Sequence, residues 1–174
     1  MIFLRGLFDR LFLIGAVVAG GLVPGFISQY RQRLGGRLEQ AQFDLMPWQK
    51  IADQFYHGSL DKLIQYHLSS GDATFHAEGD AIRLLANTVQ QLQSAVNALH
   101  TNLFEQLGYL ALHADPGLVR GTFSDWVPTF ALSAAGMVFA LLLGLAVWLL
   151  FHALWGLFTL AASRLFGRSR RRLL

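Results

Sequence analysis

Histidines placed at helical intervals from aspartates are the residues of this chain best suited to chemistry. His57 precedes Asp61 by four positions, and His76 precedes Asp80 by four positions, so each pair lies on one face of a helix. Imidazole nitrogens and carboxylate oxygens are ligands for divalent transition metals. The four residues are therefore weak candidates for the metal site of an enzyme. Because surface His and Asp more often form local hydrogen bonds or face water, we expect neither a metal nor another cofactor.

Other signatures of enzymatic chemistry are missing from the sequence. The chain has no cysteine, which excludes disulfides, thiolate metal sites and a cysteine nucleophile. The segment His76-Ala77-Glu78 has the spacing of the zinc-deaminase H-x-E motif, but it lacks the cysteine pair that this motif requires. Metalloprotease, phosphate-loop, dinucleotide-binding and serine-hydrolase motifs are all absent. We therefore expect a protein that is not an enzyme.

The other conspicuous histidines favour structural roles. His67 falls on the apolar face of a short helix, and His113 continues a long line of apolar positions, so a role in the core or in helix register is expected for both. His152 shares a helix face with Trp148 and Trp155, and it is the only readily titratable residue in the long apolar segments. Ion transporters generally place carboxylates or basic groups in their spans. Transport by this chain alone is therefore not expected.

Two long uncharged stretches dominate the hydropathy of the chain. One comprises the 38 residues between Asp125 and Arg164, and the other runs from Leu11 to Tyr30. A bilayer core of roughly 30 Å requires about 20 apolar helical residues. The apolar content of 53% and mean hydropathy of +0.40 are high for a soluble domain of this size. We predict an all-α membrane protein with transmembrane helices at 11–30 and 126–163, the second extended along the interface after Trp155.

A secretory signal peptide is the alternative interpretation of the first stretch. Arg5 and Arg10 flank a short apolar region, and Val17-Val18-Ala19 could serve as a cleavage site. The apolar run continues past that site to Ile27, however, and Asp9 is unusual in the charged region of a signal. A transmembrane helix is therefore the prediction.

The distribution of charge predicts the orientation in the membrane. Seven of the 14 Lys and Arg lie in the two termini, whereas the central segment has seven basic and ten acidic residues, a net charge of −3. By the positive-inside rule we predict cytoplasmic termini, residues 1–10 and 164–174, and an extracytoplasmic domain, residues 31–125. Its acidic balance argues against binding of nucleic acid. The residues assigned to topology or to anionic lipid are Arg164, Arg168, Arg170, Arg171 and Arg172.

Helical periodicity extends through the central segment. Its first helix should bend at Pro47, and Gly35-Gly36 is a second point at which a break is expected. Ser59, Asp72 and Asp115 are candidate caps at the starts of three later helices, the last with proline at its first position. The first helix carries an apolar stripe at Leu34, Leu38, Ala41, Leu45, Trp48, Ala52 and Phe55.

The strongest pattern is a seam of apolar residues at steps of three and four, typical of a coiled coil. It predicts one helix from about Ala73 to Ala114, although Gly79 could interrupt its first turns. The seam must pack either on the preceding helix, as an antiparallel hairpin in a helical bundle, or on another subunit, and the sequence does not choose. Its residues are Ile82, Leu85, Val89, Leu92, Val96, Leu99, Leu103 and Leu110, with Gln106 in the same register.

Small residues recur every four positions in both predicted spans. Such ridges allow helices to approach closely, although small residues are also common in spans by chance, and both interpretations stay open. The candidate packing residues are Gly21, Gly25, Gly136, Ala140 and Gly144.

Several short segments resemble those of a known family. They are Gln32 to Leu38, Ile51 to Leu60, Ala77 to Ile82 and His113 to Pro116. Over nearly its whole length the chain resembles an uncharacterised family of bacterial, mainly proteobacterial, two-span membrane proteins known only as a domain of unknown function. The resemblance implies a bacterial inner-membrane setting, with the central domain in the periplasm, and implies no catalytic residue.

Three functions are compatible with these observations. The first is a non-enzymatic scaffold or accessory subunit in the lipid bilayer, which forms a homo-oligomer or binds a membrane-complex partner through its helical periplasmic domain. The second is a periplasmic sensor or regulatory input subunit that signals through a separate protein. The third, least expected, is a metal-dependent periplasmic enzyme that uses the two His/Asp pairs.

Overall fold

The chain is all-helical, as predicted. The computed structural model describes residues 2–130 and 132–167, and this part of the chain contains six helices and no strand. In chain order they are α1 (Ile2–Phe55), α2 (Leu60–Leu68), α3 (Ala73–Ala98), α4 (Leu103–His113), α5 (Pro116–Ser124) and α6 (Ala134–Gly167). Segments long and apolar enough to cross a membrane lie within Asp9–Phe55 of α1 and Ala134–Leu157 of α6.

The chain divides into two compact units. The apolar unit comprises Met1–Phe26 and Val127–Leu174, and the central unit comprises Ile27–Trp126. Helix α1 supplies residues to both units, whereas α2 to α5 belong to the central unit and α6 to the apolar unit.

Helix α1 passes through Gly35 and Gly36, where a break was expected. Both glycines have helical backbone, as does Pro47, where the sequence predicts a bend. Glycine costs a helix only about 1 kcal/mol relative to alanine, and burial of an apolar stripe can offset that amount. Much of the predicted stripe is buried in this helix, at Leu34, Leu38, Ala41 and Ala52, whereas Phe55 at its end is exposed.

The prediction of a single helix from Ala73 to Ala114 is wrong. Helix α3 ends at Ala98, and α4 begins at Leu103. The side chain of Asn102 accepts hydrogen bonds from the backbone N–H of Phe104 and Glu105, both at 3.1 Å, which caps α4. The amide of Gln106 donates to the carbonyls of Leu99 and Thr101. These polar groups satisfy the backbone at the break, which the apolar periodicity alone does not reveal.

Three caps predicted from the sequence are confirmed. The side chains of Ser59, Asp72 and Asp115 accept backbone hydrogen bonds at the starts of α2, α3 and α5. Pro116 occupies the first turn of α5. A backbone N–H at this position has no acceptor within the helix, so proline costs no hydrogen bond there.

The core of the central unit is closed within one chain. Tyr30 and Leu34 of α1 pack with Leu99, at the end of α3, and with Leu118 of α5. Seam residues Leu92, Val96 and Leu110 pack against this cluster. Of the two packing partners that the sequence left open, the chain's own α1 is the one that these residues contact.

Helix α2 lies close to α3 at Gly79. This glycine is buried, and a Cβ atom there would be 2.9 Å from His67 Cβ and 3.0 Å from the backbone nitrogen of Leu68. Helix α3 continues through Gly79, so the residue permits close approach of the helices and does not interrupt the helix as the sequence had suggested.

The second apolar helix starts later than predicted. The predicted span began at residue 126, but α6 begins at Ala134. The hydroxyl of Ser133 accepts from the backbone N–H of Gly136 at 3.1 Å, a capping interaction, and Pro128 lies in the non-helical segment before it.

Candidate functional site

The four weak metal candidates do not form one site. His57 lies in the turn after α1 with a positive φ of 55°, and Asp61 is in the first turn of α2. His76 Nδ1 is 3.5 Å from Asp80 Oδ2, but Arg83 donates to the other carboxylate oxygen at 2.7 Å. Among the described residues, no three His, Asp or Glu side chains are grouped to hold a metal.

His67 occupies an aromatic packing site in the central unit. Its Nδ1 is 2.9 Å from the carbonyl oxygen of Leu63. Phe75 stacks on the imidazole at 5.4 Å, and Trp48 meets it edge-on at 6.0 Å. Glu78 Oε2 lies 3.7 Å from Nε2. Because these groups come from α1, α2 and α3, His67 joins three helices, consistent with its predicted role in the core.

The apolar unit contains a polar cluster that the sequence analysis missed. Asp9 Oδ1 accepts a hydrogen bond from Trp148 Nε1 at 2.9 Å, and it lies 2.9 Å from His152 Nε2. The other imidazole nitrogen, Nδ1, is 3.1 Å from the carbonyl oxygen of Trp148. A carboxylate on α1 is therefore joined to two side chains of α6 by direct polar contacts.

Asp9→Asn should weaken the association of α1 with α6. Asparagine keeps an oxygen acceptor for Trp148 but loses the negative charge beside His152. Hydrogen bonds to charged groups contribute more than neutral ones, but both side chains are more than one-third exposed. We expect a loss of about 1 kcal/mol, measured by denaturant titration of the full chain in detergent. Arg10→Gln, a charge change at the next residue, is the control, and an equal loss there would contradict the assignment.

The small residues of the apolar unit lie at close helix contacts. A Cβ atom on Gly144 would be 2.7 Å from Val17 Cα and 2.8 Å from its nitrogen, and one on Gly20 would be 3.1 Å from the carbonyl oxygen of Ala140. Gly136 and Ala140 are buried on α6. Gly21 and Gly25 instead face Phe130 and Thr129. Of the predicted residues, Ala140 and Gly144 therefore lie at the contact between α1 and α6, and Gly21 and Gly25 lie where α1 contacts the segment before α6. Gly20, which was not predicted, also lies at the contact between α1 and α6.

The predicted seam residues are distributed over α3, α4 and the turn between them. Ile82 and Leu99 are buried, and the others are partly buried, namely Leu85, Val89, Leu92, Val96, Leu103 and Leu110. Gln106 of the same register is buried and bonds to the backbone of the turn.

Two ion pairs and one hydrogen bond fasten α1 to the segment that contains α5. Arg33 pairs with Asp125, and Arg37 lies 3.8 Å from Asp115. The hydroxyl of Tyr30 accepts from the backbone N–H of Asp115 at 3.1 Å. Two of the three arginines that follow the first uncharged stretch are therefore engaged within the central unit.

A cleft in the central unit lies beside the third of these arginines. It has a volume of about 330 Å³ and is lined by both polar and apolar residues. Its lining residues come from α1 and from the end of α3, and they are Ser28, Arg31, Gln32, Leu34, Gly35, Val96, Leu99 and His100.

Most of the predicted topology residues lie outside the described part of the chain. Four of them lie in residues 168–174, namely Arg168, Arg170, Arg171 and Arg172. For Arg164 the structure describes only the backbone, which is part of α6. Their assignment to topology or anionic lipid stays a prediction.

Comparison with known proteins yields a family and no further relative. No curated protein and no solved structure matches the chain. The sequence model of a family described as a protein of unknown function, DUF2937, matches residues 4–164. That match covers nearly the whole chain and confirms the expected membership of an uncharacterised family. The chain therefore belongs to the DUF2937 family.

Proposed function

We propose that the protein is a non-enzymatic membrane scaffold or accessory subunit, whose central unit assembles with a second copy or with a partner protein. In this proposal α1 and α6 anchor the chain in a bacterial inner membrane, both termini are cytoplasmic, and the central unit is periplasmic. The orientation rests on the excess of arginine in the termini.

One observation carries the proposal. The central unit has a closed core, with Leu34 and Leu99 at 2% and 0% exposure, yet it leaves large apolar side chains outside that core. Leu84 on α3 is 69% exposed and Leu112 on α4 is 80% exposed. Phe43 on α1 is also exposed. Apolar surface that a folded core does not use supports an interaction role.

The assembly surface that we propose differs from the one suggested by the sequence. The seam was the expected surface, but several of its residues pack against Tyr30 and Leu34 of the same chain. A partner would therefore contact the outward positions of α3 and α4, represented by Leu84 and Leu112. Burying such side chains contributes about 1.5–3 kcal/mol each, enough for a few of them to support association.

Site-specific crosslinking in cells tests this proposal. The chain has no cysteine, so single substitutions Leu84→Cys and Leu112→Cys can carry a photoactivatable thiol probe. We expect both positions to give defined adducts, because the partner covers them. An adduct near twice the 19.4 kDa mass of the chain identifies a second copy, and any other mass identifies a different protein.

Gln65→Cys provides the matched control, because Gln65 is exposed but polar and lies on α2. It should give little adduct. A captured protein must also co-purify with the uncrosslinked chain and be lost with Leu112→Asp. Equal labelling at all three positions, or an uncrosslinked chain that is a monomer without a partner, would exclude a scaffold role.

A further inference from the structure

The cleft of the central unit combines a cation with an apolar side chain. Arg31, Gln32 and Ser28 of α1 line it together with His100, which follows α3. Its partly exposed apolar side chain is Val96, behind which Leu34 and Leu99 are buried. None of the lining residues is acidic. Such a surface is complementary to a molecule that has both an anionic group and a hydrocarbon part.

Arg31 differs from the arginines that follow it. Arg33 and Arg37 pair with Asp125 and Asp115, whereas no ion pair joins Arg31 to any residue within 2–130 or 132–167. The guanidinium has five N–H donors in a planar array, which fits phosphate oxygens in a bidentate arrangement. The charge of Arg31 is therefore available to an anion in the cleft.

The position of Arg31 in the sequence favours a lipid as the source of that anion. Arg31 is the first charged residue after the uncharged stretch from Leu11 to Tyr30. Residues at the end of a membrane span lie at the depth of the lipid headgroups, where lipid phosphates are concentrated. Ser28 belongs to the same stretch and lines the same cleft.

We propose that this cleft binds an anionic phospholipid, with its phosphate on Arg31 and part of an acyl chain against Val96. The hydroxyl of Ser28 and the amide of Gln32 supply further hydrogen-bond donors. This site goes beyond the proposed scaffold function and stands on different residues.

Native mass spectrometry of the full chain in detergent measures the retained lipid. Phosphatidylglycerol and phosphatidylcholine with identical acyl chains serve as the probes. We expect the wild-type chain to retain phosphatidylglycerol at lower lipid concentration than phosphatidylcholine. Arg31→Gln should raise the phosphatidylglycerol concentration that is required by about tenfold, because a charge-assisted contact is lost. Arg83→Gln removes the same charge from an exposed position on α3 and should have no such effect.

A second pair of variants tests the cleft without changing charge. Gly35 lines the cleft, and a Cβ atom there meets no atom within 4 Å. Gly35→Leu should therefore fill the space and weaken lipid retention, whereas Gly36→Leu, at a neighbouring position that is equally open but does not line the cleft, should not.

Each alternative result has a definite meaning. An equal loss of lipid retention in Arg31→Gln and Arg83→Gln, or in the two glycine variants, would show that the effect comes from a general change in charge or helix structure. Either result would overturn the proposal. Millimolar inorganic phosphate is added in a separate arm. Displacement of the lipid by phosphate alone would assign the site to a free anion and would also overturn it.

Discussion

Leu99→Ala is expected to destabilise the central unit by about 2–5 kcal/mol. Leu99 has no exposed surface, and it packs with Tyr30, Leu34 and Leu118. Truncation removes buried methyl groups and leaves a cavity between α1, the end of α3 and α5. Because residues of all three elements pack in this cluster, we expect faster amide exchange along α3 and α5 as well as a lower midpoint in denaturant.

Leu112→Ala is the matched control for this prediction. The substitution is chemically identical, but Leu112 is 80% exposed, so its effect on the monomeric chain should stay within about 0.5 kcal/mol. Denaturant titration of both variants in the same detergent gives the comparison. Similar midpoints for the two would show that the core is not closed around Leu99.

Gly144→Ala should separate α1 from α6 in the apolar unit. The added methyl group would lie 2.6 Å from Val17 Cγ2 and 2.7 Å from Val17 Cα. A backbone atom cannot move aside as the end of a flexible side chain can, so the helices must shift, at a cost of about 1–3 kcal/mol. A short crosslinker between Phe12→Cys and Phe151→Cys reports the separation, because these two rings are 4.4 Å apart in the native chain.

Two glycines of the same helices serve as controls. A Cβ atom at Gly15 of α1 or at Gly156 of α6 meets nothing within 4 Å. Gly15→Ala and Gly156→Ala should leave the crosslinking yield unchanged and stabilise the helices slightly. An unchanged yield in Gly144→Ala as well would show that the two helices do not rely on this contact.

Local signals in the sequence were sufficient for much of the fold. Two uncharged stretches of adequate length identified α1 and α6, because length and hydropathy alone define such helices. Asp72 and Asp115 identified helix starts because a capping side chain acts on the backbone two or three residues away. Interactions between residues so close in the sequence can be predicted from the sequence alone.

The division between α3 and α4 could not be predicted in the same way. Apolar spacing continues through Leu99 and Leu103, and it is the side chains of Asn102 and Gln106 that satisfy the interrupted backbone. A sequence pattern records which face of a helix is apolar, but not whether the helix stays intact. Asn102, a favoured cap residue, was the available signal.

The Asp9–His152 contact has no local signal in the sequence, because 143 positions separate the two residues. Two antiparallel spans would bring the start of the first close to the end of the second. Asp9 is the only acidic residue before the first uncharged stretch, so His152 was its identifiable partner. The neighbours of His67 come from three helices, and no pattern in the sequence indicates them.

The geometry of this contact also constrains the register of the two helices. Asp9 Oδ1 is 2.9 Å from Trp148 Nε1 and 2.9 Å from His152 Nε2, and these two residues of α6 are about one turn apart. Sliding one helix past the other by a turn, about 5.4 Å, would break both contacts. The cluster therefore selects one alignment of α1 with α6.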